Sequence, residues 1–307
     1  MRRAYRRSGG LAALVATAAI GLTACGGSLQ ATSVSNRSGL TKVSVQGHGT
    51  GTAIDPAYFS RGACVAFAPT KGNRHRTVFL DAGHGGPDPG AVGRTESGRV
   101  IYEADQTLPV VLDTMTILRH AGFRVVVSRT GPTSVLRLSP GEKSGHALTA
   151  TGVHDDVAAR DVCADKAHAG VLVGVYFNSG ASAANAGSIT AYDSARPFAH
   201  ANRRLAGLVQ SDVVAAMNAQ GWQIPDAGAQ TDQGLGSSAS AASHAYGHLL
   251  LIGPPKKGYF STPSTMPGVL VEPLFITDPF EGSIAASSRG HQVIAHGLAR
   301  AINQYFA

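Results

Sequence analysis

The sequence predicts an α/β fold, a single domain with a mostly parallel twisted sheet of about six strands and helices on both faces. Two observations predict it. Several short apolar runs are continuous instead of alternating with polar residues, which is typical of strands buried on both faces. These runs alternate with longer segments whose apolar residues recur at helical spacing, as in sheets with crossover helices. No internal repeat or second domain is visible.

The elements follow in order from residue 76. Val78, Phe79 and Leu80 form the first buried run, and a helix at 103–120 ends before Gly122. Further strands are predicted at 123–127, 171–176, 188–192, 248–252 and 268–272, and further helices at 155–169, 199–220 and 283–306. Residues 223–246 are mostly polar and are predicted to form a long loop, a kind of segment that is often functional.

Residues 1–25 have the pattern of an export signal. Four arginines among the first seven residues precede an apolar stretch of 12 residues, which is shorter than the roughly 20 residues of a membrane span. Cys25 follows Leu-Thr-Ala, as at a bacterial lipoprotein cleavage site. We therefore expect an exported chain that is anchored to the membrane by a lipid on Cys25, or that lies in the periplasm or cell wall. The alternative is an ordinary signal peptide in which Cys25 is incidental.

The remaining chain divides into three parts. Residues 26–51 are rich in Ser, Thr and Gly and are predicted to be a flexible tether. Residues 52–75 are predicted to pack as an edge segment, and residues 76–307 form the predicted catalytic domain. The net charge of +7 falls to +3 when the four signal arginines are set aside, so nucleic-acid binding is not indicated.

Two cysteines remain when Cys25 is set aside. Cys64 and Cys163 would lie in an oxidising compartment after export, which favours a disulfide between them. Two buried thiols are the alternative. The sequence gives no indication of the oligomeric state.

Side chains suited to chemistry lie at the ends of predicted strands. His84 follows the first strand in a glycine-rich turn, Glu103 begins the next helix, and Tyr176 and Glu272 end later strands. Ligands bind beyond the carboxyl ends of parallel strands, so we expect these groups at one rim. A histidine exposed by glycines is suited to metal binding, although a solvated turn is the alternative. Glu103 could serve only the helix N-terminus, whereas a carboxylate in the buried last strand is costly unless it is paired or functional.

Three motifs resemble one known family. The segment LDAGHGGPDPGAVG at 80–93, the glutamate Glu103 and the segment VLVEPLFITDP at 269–279 are similar to the zinc-dependent N-acetylmuramoyl-L-alanine amidases of bacterial cell walls, the amidase-3 type. The resemblance covers about three quarters of the chain. It implies a peptidoglycan hydrolase that cleaves between N-acetylmuramic acid and L-alanine of the stem peptide. It also implies zinc on His84, Glu103 and a second histidine, with Glu272 assisting the water.

The second histidine is where the sequence departs from the family. The family pattern Ser-Ile-His-Ala-Asn corresponds to residues 174–178, in which Tyr176 takes the place of the histidine. Three interpretations follow. Tyr176 or water completes a weakened zinc site; another histidine, foremost His248 and less so His244 or His154, reaches in; or the metal is lost and the chain is a non-catalytic peptidoglycan-binding or regulatory relative. We favour the enzyme.

Overall fold

The computed structural model describes residues 32–37, 40–235 and 240–307. The predicted export signal and Cys25 lie outside these ranges, so the signal peptide and the lipidation stay predictions. Within the described ranges, no helix is long and apolar enough to cross a membrane.

The secondary structure alternates between strands and helices after residue 76. The strands are β1 (Thr32–Arg37), β2 (Leu40–Val45), β3 (Gly49–Ala53), β4 (Ala63–Phe67), β5 (Thr77–Ala82), β6 (Val92–Arg94), β7 (Val100–Tyr102), β8 (Arg124–Arg129), β9 (Lys143–Ser144), β10 (Ala147–Leu148), β11 (Val171–Val175), β12 (Ser188–Tyr192), β13 (Asp226–Thr231) and β14 (Gly268–Glu272). The helices are α1 (Glu103–His120), α2 (Ala150–Lys166), α3 (Ala199–Asn218), α4 (Ala241–Tyr246), α5 (Pro279–Ala285) and α6 (Ser288–Tyr305).

One large sheet positions the site. Its strand order is β1-β2-β3-β4-β8-β5-β11-β14-β12-β13. The four central strands β8, β5, β11 and β14 are parallel, so their carboxyl ends meet at one edge, called here the active edge. Strand β12 runs antiparallel to β14, and β13 is parallel to β12. Strands β12 and β13 therefore end at the opposite edge.

The central strands are buried on both faces. Along β5, Val78, Leu80 and Ala82 belong to the core formed with α1, α3 and α6, whereas Phe79 belongs to the core on the α2 side. All four are 0 % exposed. Successive residues of a strand face opposite sides, so a strand covered on both faces is continuously apolar. Each fully buried aliphatic side chain contributes about 1.5–3 kcal/mol. The predicted α/β class with helices on both faces is confirmed.

The sheet is larger and more mixed than predicted, because the predicted tether at 26–51 is wrong for much of its length. Strands β1, β2 and β3 form an antiparallel extension that joins β8 through β4 in the edge segment. Val43 and Val45 are buried, whereas Lys42 before them and Ser44 between them are not. This alternation is that of a strand with one buried face, and the polar average composition of the segment hides it.

Three other predictions differ from the structure. The predicted strand at 248–252 is a turn region, in which Leu251 and Ile252 are buried by packing on the α2 face of the sheet. No edge of β14 is left for another strand, because β14 already pairs with β11 and β12. The predicted loop at 223–246 contains β13 and α4. The last predicted helix is two helices, and Ser287 caps the second through the N–H of Gly290 at 2.9 Å.

A disulfide joins strand β4 to helix α2. Cys64 in β4 is bonded to Cys163 in α2, with 5.7 Å between their Cα atoms. Both residues are 0 % exposed. The bond ties the antiparallel extension to the helix that covers the neighbouring face of the sheet.

Candidate active site

His84 lies in the turn that leaves the carboxyl end of β5. Its φ of 60° is in the left-handed region, which non-glycine residues seldom adopt. Gly85 follows with φ of 120°, and a Cβ there would lie 2.5 Å from the carbonyl oxygen of Thr133. At Gly90 a Cβ would lie 2.7 Å from Glu103 Oε2. The glycines therefore let the turn close on α1, which brings His84 against Glu103.

The His84 ring is held between two carboxylates. Its Nδ1 lies 2.7 Å from Asp88 Oδ2 and its Nε2 lies 3.1 Å from Glu103 Oε2. Burial lowers the pKa of His84, but the charge of Glu103 and the contacts with Asp88 outweigh this and raise it to about 10. Asp88 accepts the Nδ1–H, as a second carboxylate does for many metal-binding histidines. Nε2 is the ring nitrogen that faces Glu103 at this rim.

Glu103 is the first residue of α1 and is 3 % exposed. Its Oε1 accepts the backbone N–H of Phe177 at 2.9 Å, and its Oε2 accepts that of Ala91 at 2.9 Å. These bonds offset the cost of burying the carboxylate. They also fix Oε2 towards His84, a contact that a role at the helix N-terminus alone would not need.

Glu272 ends β14 at the active edge and is half-buried. Strands β5 and β14 are both parallel to β11, which lies between them. Glu272 and the turn that contains His84 therefore follow strand ends at the same edge. Burial and then the charge of Glu103 raise the pKa of Glu272 to about 7, although His84 lowers it. A carboxylate that titrates near neutral pH is suited to general-base catalysis.

Tyr176 does not direct its hydroxyl at the His84–Glu103 pair. The hydroxyl donates to Asp81 Oδ2 at 3.1 Å, and the ring lies edge-on to His84 with 5.2 Å between centroids. Burial and then the charge of Asp81 raise the pKa of Tyr176 well above its usual value. The phenol therefore stays neutral and engaged with Asp81. The interpretation in which Tyr176 replaces the histidine as a ligand is not supported by this geometry.

Within the described residues, none of the other candidate histidines forms a group of three ligand atoms with His84 and Glu103. His248 Nδ1 lies 3.1 Å from Asp193 Oδ2 and 3.2 Å from Asp232 Oδ1, at the ends of β12 and β13 on the opposite edge. His154 is paired with the adjacent aspartate, and His244 is exposed on α4. None of them supplies the missing ligand.

Two neighbouring protein atoms at the His84 turn are of the kind that bind a metal ion. His84 Nε2 and Glu103 Oε2 are adjacent and oriented, whereas a catalytic zinc ordinarily has three protein ligands. Within the described part of the chain, three candidate ligand atoms lie within 4.8 Å of one another only at Asp193, Asp232 and His248. The third protein ligand that the family resemblance implies is therefore not replaced.

Two buried arginines that were not predicted as site residues hold the turn in place. Arg129 donates to the carbonyl oxygens of Gly83 and Ala104 at 3.0 and 2.7 Å. Arg160 donates to the carbonyl oxygen of His84 at 2.9 Å. The available signal was a charged residue in an otherwise buried segment, since Arg129 ends the apolar strand β8 and Arg160 lies on the buried side of α2.

Comparison with known proteins gives a consistent family. The family model described as N-acetylmuramoyl-L-alanine amidase matches residues 78–304. The N-acetylmuramoyl-L-alanine amidase AmiA of Salmonella typhimurium is 29% identical over 244 residues, which cover 75% of this chain and 76% of AmiA. The protein YqiI of Bacillus subtilis is 27% identical over 231 residues, 75% of this chain and 85% of YqiI.

Solved structures show the same fold. The CwlD amidase from Clostridioides difficile, in complex with the GerS lipoprotein, aligns with a TM-score of 0.56 at 19% identity, over 75% of this chain and 98% of CwlD. The catalytic domain of the amidase CwlV from Bacillus (Paenibacillus) polymyxa aligns with a TM-score of 0.53 at 24% identity, over 75% and 97% of the two chains.

Proposed function

The chain belongs to the N-acetylmuramoyl-L-alanine amidase family, and we propose that it hydrolyses the amide between the lactyl group of N-acetylmuramic acid and L-alanine in peptidoglycan. The observation that carries the proposal is the placement of His84, Glu103 and Glu272 at one edge of the sheet, where the electrostatic influence of Glu103 and His84 reaches Glu272. Ligands of open parallel sheets bind at this edge.

Glu272 performs the proton transfers in the proposed reaction. Its carboxylate takes a proton from a water molecule as the water oxygen attacks the lactyl carbonyl carbon. The carbon–nitrogen bond then breaks, and the protonated Glu272 gives its proton to the alanine nitrogen. The products are a lactyl carboxylate on the sugar and a stem peptide with a free N-terminal L-alanine.

We propose His84 and Glu103 as the protein ligands of a zinc ion, bound through Nε2 and Oε2. When bound, zinc supplies a Lewis acid that polarises the scissile carbonyl. Asp88 keeps the Nδ1 proton and so leaves Nε2 for the metal. The backbone N–H groups of Ala91 and Phe177 hold the Glu103 carboxylate in place.

We also propose that the chain acts outside the cytoplasm and is held at the membrane by a lipid on Cys25. The support is the predicted export signal together with the disulfide between Cys64 and Cys163, because such bonds persist in oxidising compartments. Peptidoglycan is then within reach of a tethered domain.

Digestion of purified peptidoglycan tests the function. The full-length chain, loaded with zinc, should release stem peptides with a free N-terminal L-alanine, identified by mass spectrometry. His84→Ala should lose the activity because it removes a metal ligand, whereas His200→Ala, exposed on α3, should retain it. Cleavage within the stem peptide would contradict the assigned bond. Binding to peptidoglycan with no cleavage would identify a non-catalytic relative instead.

Two substitutions at Tyr176 test the ligand set. Tyr176→Phe should leave zinc binding unchanged, because the hydroxyl is engaged by Asp81, although it should lower the unfolding free energy by about 1.5–3 kcal/mol as a hydrogen bond to a charged group is lost. Tyr176→His should tighten zinc binding more than about tenfold, a change equivalent to ~1.4 kcal/mol. Chelator competition measures the zinc affinity of both variants, and urea denaturation measures the loss of stability. A large loss of zinc in the phenylalanine variant would show that the hydroxyl is a ligand.

A further inference from the structure

A second group of ionisable side chains lies at the edge of the sheet opposite the active edge. Asp193 directly follows β12 and Asp232 directly follows β13, and these strands are parallel with Tyr192 paired to Thr231. The two aspartates are therefore side by side. His248 meets both, and its Nδ1 lies 3.1 Å from Asp193 Oδ2 and 3.2 Å from Asp232 Oδ1.

This group is separate from the candidate active site. Strand β12 is antiparallel to β14, and Ile189 pairs with Glu272. Asp193 lies four residues further along the chain, which corresponds to ~13 Å at about 3.3 Å per residue. A ligand held by Asp193 would therefore not touch Glu272.

The outer contacts of both carboxylates orient them towards His248. Asp193 Oδ1 accepts two backbone N–H groups at 2.8 Å, and Asp232 Oδ2 accepts the N–H of Leu249 at 3.1 Å. The remaining oxygens, Asp193 Oδ2 and Asp232 Oδ1, face the imidazole. Both aspartates are 0 % exposed, so bulk solvent does not reach them.

One of these oxygens has no hydrogen bond. The proton on His248 Nδ1 can serve only one acceptor, and its hydrogen-bond geometry is met with Asp232 Oδ1. Asp193 Oδ2 is buried without a hydrogen-bond partner, although His248 Nδ1 is close to it. A buried carboxylate oxygen left without a partner is costly. A cation between the three groups would satisfy it.

We propose that Asp193, Asp232 and His248 form a zinc site. Three ligand atoms lie within 4.8 Å of one another, and one imidazole nitrogen with two carboxylate oxygens is a ligand set that zinc accepts. Ligands about 2.1 Å from a tetrahedral ion are ~3.4 Å apart, close to the observed 3.1 and 3.2 Å. The imidazole favours zinc over calcium or magnesium, which take oxygen ligands.

The site joins two ends of one segment. Asp232 and His248 bracket residues 233–247, which include α4, and Asp193 fixes both ends to the edge of the sheet. Zinc bound here would stabilise the folded chain, because a ligand that binds only the folded state raises its stability. With three protein ligands, a fourth position remains for water or another donor.

Zinc content and thermal unfolding of the full-length chain test the proposal. After removal of metal with a chelator and reloading with zinc chloride, Asp193→Asn and His248→Gln should each hold about one equivalent of zinc less than the parent chain. His200→Gln, on the exposed side of α3, is the matched histidine control and should hold the parent amount. Asp193→Asn keeps an oxygen for the two backbone N–H groups, and His248 is partly exposed, so both variants are expected to fold.

A double variant separates this site from the candidate active site. His84→Gln with Glu103→Gln should remove the metal of the active edge and keep the zinc at Asp193, together with a zinc-dependent rise in Tm. Adding Asp193→Asn to this double variant should abolish the remaining zinc binding and the rise in Tm. This result is expected whatever the outcome of the peptidoglycan digestion. Equal zinc content and an equal rise in Tm with and without Asp193→Asn would overturn the proposal. So would a Tm that rises with calcium chloride and not with zinc, since Asp193, Asp232 and His248 would then be an oxygen-selective site or only an ionic clamp.

Discussion

Glu272→Gln should lower the rate of peptidoglycan amide hydrolysis by about 10²–10⁴-fold, the usual contribution of a positioned general base. Glutamine has nearly the same shape but cannot take the proton of the attacking water. The rate of release of stem peptides measures the effect. Glu96→Gln, at an exposed carboxylate, is the matched control and should keep the parent rate. Undiminished hydrolysis by the Glu272 variant would contradict the assignment.

The parent enzyme should also lose activity on acidification. The base must be ionised, and the pKa of Glu272 is raised to about 7 by burial and by Glu103. Below pH 7 the ionised fraction falls about tenfold per pH unit. A profile of kcat/KM against pH should therefore show an acid limb, which zinc on His84 and Glu103 moves to lower pH because its positive charge favours the ionised Glu272. An acid limb that stays unchanged in Glu272→Gln would contradict the assignment.

The substitution Glu272→Gln should also stabilise the fold at alkaline pH. Because the pKa of Glu272 is raised from 4.5 to about 7, the folded chain holds its proton more tightly than the unfolded chain does. Stability therefore falls as pH rises from 4.5 through 7. Above pH 7 the buried charge costs at most about 3 kcal/mol, which glutamine removes. Tm of Glu272→Gln should exceed that of the parent at pH 8 and match it at pH 4; a lower Tm at pH 8 would indicate a structural carboxylate.

The active edge could be predicted because its signals are local. Strand β5, the glycine turn and the start of α1 at Glu103 lie within 27 residues, and the buried run before Glu272 identifies β14 without knowledge of its neighbours. Ordinary sheet geometry then places the ends of parallel strands together. The replacement of the expected histidine by Tyr176 was also visible.

Features that depend on pairing partners could not be predicted. Asp193 and Asp232 meet only because β12 and β13 pair in parallel, and β13 was hidden in a polar segment whose residues are mostly exposed. The direction of the Tyr176 hydroxyl depends on Asp81, which lies 95 positions away. An apolar run such as that at 248–252 is compatible with a strand or with a turn packed on a sheet, and tertiary contacts decide between them.

The burial of Arg129 and Arg160 could not be predicted either, because charged residues are expected at the surface and not in the core. Arg160 is 1 % exposed, and its guanidinium lies 2.6 Å from Asp81 Oδ1 and 2.8 Å from Asp156 Oδ2. Burial lowers the pKa of Arg160, but the two aspartates outweigh it and keep the value above normal. Arg160 therefore stays positively charged. Removing it would leave two buried carboxylates without a cation.

Arg160→Met should lower the unfolding free energy by about 3–5 kcal/mol, because it leaves two buried carboxylates without their cation. Urea denaturation at pH 7 measures the loss. Arg203→Met, at an exposed position of α3, is the control and should stay within about 0.5 kcal/mol of the parent. A loss below about 1 kcal/mol at pH 7 would mean that water reaches the aspartates, and Arg160 would then not be what holds the His84 turn.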